Sequence, residues 1–299
     1  MQHNPLVTII CLCYNQEKYV LESLFSVINQ DYPSVELIIV DDCSTDNSKS
    51  VIEKWGIDSP KIQFIANKTN LGSTKSFNKA LKKAKGEYII DLAADDVLLP
   101  NCVASQIHAF KNTTYKNLGI VYGNVELITE KGEFESYYFP VDSFQKVITP
   151  RTTGDIYKSV LSGGDSICSV SAMVKKTVFD YLNGYDETLV YEDLDFWIRA
   201  SRIYDFDFID EILMQKRIVP NSLGTDFFKK KDSRAKKINY STYLILKKAI
   251  DLNKTKEENK ALLKRIHFEM ILAYKTSNFA LVLKYILIEV KLRIHFVTS

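Results

Sequence analysis

The sequence has no C-x-x-C pair, and its five cysteines (Cys11, Cys13, Cys43, Cys102, Cys168) form an odd, scattered set. It therefore offers neither a thiolate zinc centre nor a disulfide framework, and the thiols read as reduced core residues. The four histidines (His3, His108, His267, His295) fall at no metal-ligand spacing and read as surface or packing residues. No stretch of about 18 consecutive apolar residues occurs, so no membrane-spanning helix is expected. The opening MQHNPLVTII lacks a basic segment followed by a long apolar run, so no signal peptide is expected either.

What is present is an ordinary globular composition of 299 residues, 46% hydrophobic and 25% charged, which argues against disorder. That length supports a large core, as one big domain or as one domain with an appendage. The net charge of +2 hides an asymmetry. Residues 1–215 carry 20 Lys and Arg against 30 Asp and Glu, whereas residues 216–299 carry 19 against 7. An acidic body thus bears a basic tail, suited to meeting an anionic partner such as a membrane surface or a polyphosphate.

Strand-like and helix-like runs alternate from the start. LVTIICLC precedes the helical pattern QEKYVLESLFSVINQ, and VELIIVDD precedes CSTDNSKSVIEKW, whose Ser and Thr are cap candidates. The strand KIQFIA is followed by the helix STKSFNKALKKA and the strand EYIIDL. Such alternation predicts right-handed βαβ units and a mainly parallel central sheet flanked by helices. Beyond it, LGIVYGNVELI reads as a strand, FESYYFP as an aromatic loop, SGGDS as a turn, YEDLDFWIRASRIY as the start of a helix and FDFIDEILMQKRI as a strand. From about residue 226 the chain turns to Lys-rich helices, the last with Phe279, Val282, Leu283, Ile286, Val290 and Ile294 at helical spacing. Those helices either pack on the body with a solvated basic face or lie in a membrane interface.

Ligands of parallel sheets bind beyond the carboxyl ends of the strands. Tyr14-Asn15-Gln16, Asp41-Asp42 and Asp95-Asp96 stand at those ends here. Adjacent carboxylates repel unless a cation, backbone donors or a shifted pKa compensates. Asp95 and Asp96 in GEYIIDLAADDVLLP thus read either as a divalent-metal site or as a turn that caps the helix after Pro100. In YEDLDFWIRAS, Asp193 reads either as an N-cap or as a general base, and Asp195 as a partner for Arg199 on a surface helix.

Six segments occur in one order: VTIICLCYNQEKYV, ELIIVDDCSTDNS, NLGSTKSFNKAL, GEYIIDLAADD, NGYDE and YEDLDFWIR. Together they resemble the inverting family 2 glycosyltransferases of GT-A fold, over about residues 6–223. The resemblance implies an α/β GT-A-like domain over 1–223, followed by a basic helical region over 224–299. It places Leu12 (through its backbone), Tyr14, Asn15 and Asp42 around a nucleotide, Lys75 near its diphosphate, and Asp95 at a divalent metal, Mn²⁺ or Mg²⁺, bridging that diphosphate. It makes Asp193 the catalytic base, with Glu192 and Asp96 beside the reacting groups, Gly184 and Asp186 on the acceptor side, and Arg217 in support.

The implied reaction is a single displacement. Charge developing on the departing diphosphate is stabilised by a cation, while a carboxylate activates the acceptor hydroxyl. Two positions depart from the family pattern: Ala93 stands where relatives carry the first carboxylate of the metal motif, and Val219 where they carry a histidine. Lys75 or Arg217 is expected to take over part of the charge.

The expected donor is a nucleotide sugar, UDP-linked by resemblance, delivering a hexosyl or N-acetylhexosaminyl group. The expected acceptor is a lipid-linked glycan or lipopolysaccharide in capsule, O-antigen or similar surface-polysaccharide assembly. The setting is cytoplasmic, peripheral on the inner face of the membrane through the basic helices. A non-catalytic nucleotide-sugar-binding protein with a degenerate metal site is the alternative. A sugar-phosphate nucleotidyltransferase would need a G-x-G-x-R loop where YNQEKY stands, and the aromatics of the tail show no stacking pattern for nucleic acid.

Overall fold

The computed structural model describes residues 4–56, 62–163, 167–219 and 232–298. The chain divides into two compact units: Met1–Gly154 with Ile167–Tyr185 and Tyr204–Ile218, and Asp155–Ser166 with Asp186–Ile203 and Val219–Ser299. The boundary read at 223/224 lies outside the described residues.

The first unit is built on one sheet. Strands β1 (Val7–Cys13), β2 (Val35–Asp41), β3 (Ile62–Ala66) and β4 (Tyr88–Ala93) run parallel in the order β3-β2-β1-β4. The βαβ prediction is met here, with helices α1 (Val20–Ile28), α2 (Ser48–Trp55) and α3 (Ser73–Leu81) as the crossovers. β1 and β2 are apolar almost throughout because they are covered on both faces; Val7, Ile9, Ile10, Ile38, Ile39 and Val40 are fully buried.

Beyond β4 the sheet becomes mixed. β8 (Met173–Lys175) pairs antiparallel with both β4 and β6 (Leu118–Ile128). β9 (Asp205–Arg217) lies parallel to β6, and β5 (Val97–Leu98) closes the far edge antiparallel to β9. β7 (Phe134–Tyr137) forms a hairpin on β6, which corrects the reading of FESYYFP as a loop. The long β6 exposes an edge that an alternating aromatic segment can pair with. Helices α4 (Cys102–Asn112) and α6 (Lys176–Leu182) complete this unit.

The register fixes what stands at the tip. Leu12 is level with Val40 on one side and with Ala93 on the other, so the segments after β1, β2 and β4 leave the sheet together. α2 begins at Ser48 with Asn47 as its N-cap, later than the Ser44 and Thr45 read as caps. Those two residues bind the loop after β1.

The second unit is helical in its described residues: α5 (Tyr157–Ser162), α7 (Glu192–Ser201), α8 (Ser233–Leu252), α9 (Lys256–Lys275) and α10 (Phe279–Thr298). The three Lys-rich helices lie where the periodicity placed them. Asp232 caps α8 by accepting from Ala235 N, and a Thr255–Glu258 capping box starts α9. Ile238, Ile245, Leu246, Leu262, Ile266 and Tyr285 are buried between them.

The NGYDE segment opens with two left-handed residues, Asn183 (φ 57°) and Gly184 (φ 74°). The Asn78 side chain clasps the next residue, Nδ2 donating to Tyr185 O at 2.8 Å and Oδ1 accepting from Tyr185 N at 3.0 Å. A Cβ at position 184 would lie 2.4 Å from Asn78 Oδ1. Gly184→Ala is therefore expected to cost roughly 2–4 kcal/mol, from left-handed strain plus loss of the clasp. A urea unfolding midpoint equal to that of the wild type would show that the clasp is dispensable.

Candidate functional site

The loops after β1 and β2 are laced into one platform. Asn15, itself left-handed at φ 55°, accepts from Thr45 N at 2.7 Å and from Thr45 Oγ1 at 3.2 Å, and its own N–H donates to Ser44 Oγ at 3.0 Å. Gln16 N donates to Ser48 Oγ at 2.8 Å and Glu17 N to Asp46 Oδ2 at 3.1 Å. Tyr14, at the head of this platform, is 46% exposed. The Leu12 carbonyl accepts from Ala94 N at 3.0 Å, which joins β1 to the turn after β4.

Asp42 organises the neighbouring loop. Its carboxylate accepts from Leu71 N (2.9 Å), Gly72 N (2.8 Å), Asn67 Nδ2 (2.8 Å) and Ser76 Oγ (2.9 Å). The four donors fix the chain entering α3. Lys75 stands exposed in that helix's first turn and makes no ion pair among the described residues.

Asp95 and Asp96 are both buried, 9% and 2% exposed. Asp96 N donates to Ala93 O at 3.0 Å, so the doublet does form a turn, but the N-cap of α4 is Asn101 and the helix-capping alternative is not realised. Asp95 Oδ2 accepts from Gln16 Nε2 at 3.2 Å. Burial pushes the Asp95 carboxyl above its ordinary range. Burial first, and then the charge of Asp95, pushes Asp96 up to about 7.

Arg217, also buried, holds this arrangement. Its backbone N–H donates to Asp96 Oδ1 at 2.9 Å and its Nε to Asp95 O at 3.1 Å. Nη2 donates to Glu22 Oε2 at 2.5 Å, and Nη1 to Thr129 O and Glu130 O at 3.2 and 3.3 Å. All three guanidinium nitrogens are engaged within the protein, so Arg217 clamps the ends of β4 and β9 to α1 and to the β6–β7 turn.

Its neighbour Lys216 was missed by sequence reasoning. Lys216 is half-buried, makes no ion pair among the described residues, and its charge acts on Asp95, Asp96 and Cys168. Its position beside Arg217 at the carboxyl end of a predicted strand was the available signal.

Among the described residues no group of three or more His, Cys, Asp and Glu is placed to hold a metal. The Asp95 carboxylate is a hard oxygen donor that would suit one position on a hard cation, with phosphate oxygens and water supplying the others.

Glu192 and Asp193 belong to the second unit, at the start of α7. The N-cap is Tyr191, so Asp193 lies within the first turn and does not cap the helix; it is half-buried, and its Oδ1 accepts from Leu194 N at 2.8 Å. Asp195 pairs with Arg199 Nε at 2.6 Å as the spacing predicts, yet Asp195 is only 2% exposed, not on a surface face. The reason lies in α8, whose Lys248 Nζ also reaches Asp195 Oδ1 at 3.2 Å. Lys248 binds Asp186 too, and Asp186 accepts from Thr188 N and Oγ1 at 2.9 and 2.6 Å. Burial opposes ionisation of Asp186, but these partners hold its carboxyl down at about 2. Ser241 Oγ, also on α8, accepts from Val190 N and Tyr191 N at 3.0 and 3.3 Å, fixing the residues before α7.

Comparison with known proteins places this geometry. A model of "Glycosyl transferase family 2" matches residues 8–174. An uncharacterized glycosyltransferase of Methanocaldococcus jannaschii is 33% identical over 221 residues, 73% of this chain and 72% of its own. More distantly, the putative teichuronic acid biosynthesis glycosyltransferase TuaG of Bacillus subtilis is 24% identical, over 75% of this chain and 84% of its own. Among solved structures, S. aureus TarS 1-349 in complex with UDP-GlcNAc superposes with a TM-score of 0.65 at 18% identity, over 87% of this chain and 71% of that one. The mannosyltransferase PcManGT from Pyrobaculum calidifontis, in complex with GDP-Man and Mn²⁺, gives 0.63 at 18% identity, over 94% and 75%. The fold is thus of the GT-A type.

Two outcomes test the charge arrangement. Asp96 has a folded pKa above its unfolded value, so its contribution to stability is greatest below about 4 and is lost as pH rises towards about 7. Asp96→Asn keeps an acceptor for Arg217 N and removes the ionisation, so the melting temperature of metal-free variant minus that of wild type should rise between pH 4 and 7.5; parallel curves would refute the shift. Arg217→Ala should cost about 3–5 kcal/mol in urea unfolding, with Arg217→Lys a poor rescue because an ammonium cannot span the same acceptors.

Proposed function

This chain belongs to glycosyl transferase family 2, and from that premise we propose that it is an inverting glycosyltransferase acting on a nucleotide-sugar donor, UDP-linked, whose sugar is a hexose or an N-acetylhexosamine. The acceptor is a hydroxyl of a lipid-linked glycan or lipopolysaccharide. The observation that carries this reading is the platform at the ends of β1, β2 and β4, with the buried Asp95–Asp96 turn beside it. The complexes named for TarS with UDP-GlcNAc and for PcManGT with GDP-Man and Mn²⁺ support a nucleotide-sugar donor, and the name of TuaG supports surface-polysaccharide synthesis.

In this reading Tyr14 offers its exposed ring to the base, Leu12 contributes backbone, and Asn15 and Asp42 keep the two nucleotide-binding loops in shape. Lys75 and Lys216 bring positive charge to the diphosphate. Asp95 would hold a divalent cation, Mn²⁺ or Mg²⁺, which would supply neutralisation of charge on the departing diphosphate. Asp193 takes the proton of the acceptor hydroxyl while its oxygen attacks the anomeric carbon, the bond to the diphosphate breaks, and the configuration inverts. Glu192 and Asp186 frame that base; Gly184 shapes the turn on the acceptor side. Residues 1–223 carry out transfer and the basic region 224–299 serves a cytoplasmic, peripheral membrane setting. No helix among the described residues is long and apolar enough to cross a membrane.

One observation favours a second reading, a nucleotide-sugar-binding protein without turnover: Ala93 and Val219 stand at two positions of the metal motif, and among the described residues no group of three or more His, Cys, Asp and Glu is placed to hold a metal.

Diphosphate release from UDP-, GDP- and dTDP-sugars, with Mn²⁺ or EDTA and with membrane extract as acceptor source, separates the two. Turnover with one donor class is expected, and Asp193→Asn should lower kcat by about 10²–10⁴ while donor affinity stays unchanged. Donor binding without turnover under all these conditions would establish the second reading.

A further inference from the structure

Among the described residues, the outer face of the α9–α10 hairpin has no partner in the second unit. On α10, Phe279, Leu283, Ile286, Leu287 and Val290 recur at i, i+4, i+7, i+8 and i+11 and are 41–69% exposed, while Leu281, Tyr285, Ile288 and Leu292 form the buried stripe on the opposite side. α9 extends the patch. The Tyr274 and Phe279 rings meet edge-on at 5.9 Å near the connecting turn, and His267 Nε2 lies 3.0 Å from Glu289 Oε1 farther along, so the row containing Ile271 and Tyr274, 53% and 65% exposed, runs beside the α10 stripe.

The charges around this patch have one sign. Both acidic residues between Lys264 and Arg293 are neutralised within the hairpin: Glu269 is buried against Arg265 at 2.7 Å, and Glu289 is held by Arg293 and His267. Lys264, Lys275, Lys284 and Lys291 make no ion pair among the described residues. Lys284 and Lys291 follow the α10 stripe along one flank, and Lys284 rests over the Tyr240 and Tyr243 rings at 5.4 and 5.6 Å.

We propose that this hairpin face is a docking surface for an anionic lipid bilayer, its apolar stripe entering the interface and its lysines meeting the headgroups. Apolar side chains flanked by long cationic ones match a surface that is apolar beneath and negative above. A second copy of the chain fits less well, because a two-fold contact through the stripe brings two like-charged sets of lysines together. The surface deepens the membrane setting assigned to the acceptor and rests on that reading for its purpose. Its test needs neither donor nor acceptor, so its failure leaves glycosyl transfer standing.

The experiment is co-sedimentation of the full chain with vesicles of phosphatidylcholine alone and of phosphatidylcholine mixed with phosphatidylglycerol, at low and high salt, with solution mass measured in parallel. Binding to the anionic vesicles alone, weakened by salt, is expected. Lys264→Glu/Lys275→Glu/Lys291→Glu should weaken partition about a hundredfold or more, at about fivefold per lysine charge near the surface. Leu283→Glu/Leu287→Glu should abolish it, with both variants unfolding at the wild-type temperature. Absent partition of the wild type, or equal partition of the folded variants, overturns the proposal. So does a wild-type dimer that Leu283→Glu/Leu287→Glu converts to monomer.

Discussion

Two carboxylates that the fold buries side by side at the end of β4 set the constraint around which the first unit is arranged. Their mutual repulsion and desolvation favour protonation, and the chain opposes this with one residue used at both its main chain and its side chain. Arg217 donates its backbone N–H to Asp96 and its Nε to the carbonyl of Asp95. Since the same guanidinium also holds Glu22 and the carbonyls of the β6–β7 turn, the position of β9 beside β6 and the conformation of the β4 tip are decided together. Gln16 adds a link from the β1 loop to Asp95, so the platform for a nucleotide and the acidic turn beside it are one mechanical object.

The parallel half of this unit was legible because its information is local. An apolar run buried on both faces, a helical pattern and a second apolar run state a βαβ unit without knowledge of anything distant. The same is true of the three C-terminal helices. The candidate site was legible only as residue types at strand ends: Tyr14, Asn15, Asp42 and Asp95 do stand at the tip the register defines. Their partners could not be read. Glu22 and Arg217 are 195 residues apart, Lys248 and Asp195 are 53 apart, and no periodicity connects such positions. The burial of Asp195 and the hydrogen bonds of Arg217 follow from those distant pairings, which is why the surface reading of Asp195 failed.

The second unit solves its own charge problem in a different manner. α7 begins with Glu192 and Asp193 and carries Asp195 in the same turn, three acids at the positive end of a helix dipole. α8 adds a specific counter-charge, Lys248, shared between Asp186 and Asp195, and a hydroxyl, Ser241, that pins the two residues leading into the turn. The segment bearing Asp193 is therefore held by residues that follow it by roughly fifty positions.

That dependence bears on how the chain can be divided. The family match ends at residue 174 and the last segment of the first unit at Ile218, so a chain closed off at 218 would contain both. Lys248 and Ser241 lie beyond either end. A chain cut at 218 would keep Asp186 and Asp195 and lose the ammonium between them, along with the hydroxyl that orders the entry to α7. α8 is thus internal scaffolding for the acidic segment, and exchange of this helix between relatives is constrained to those that bring a lysine and a hydroxyl to the same places.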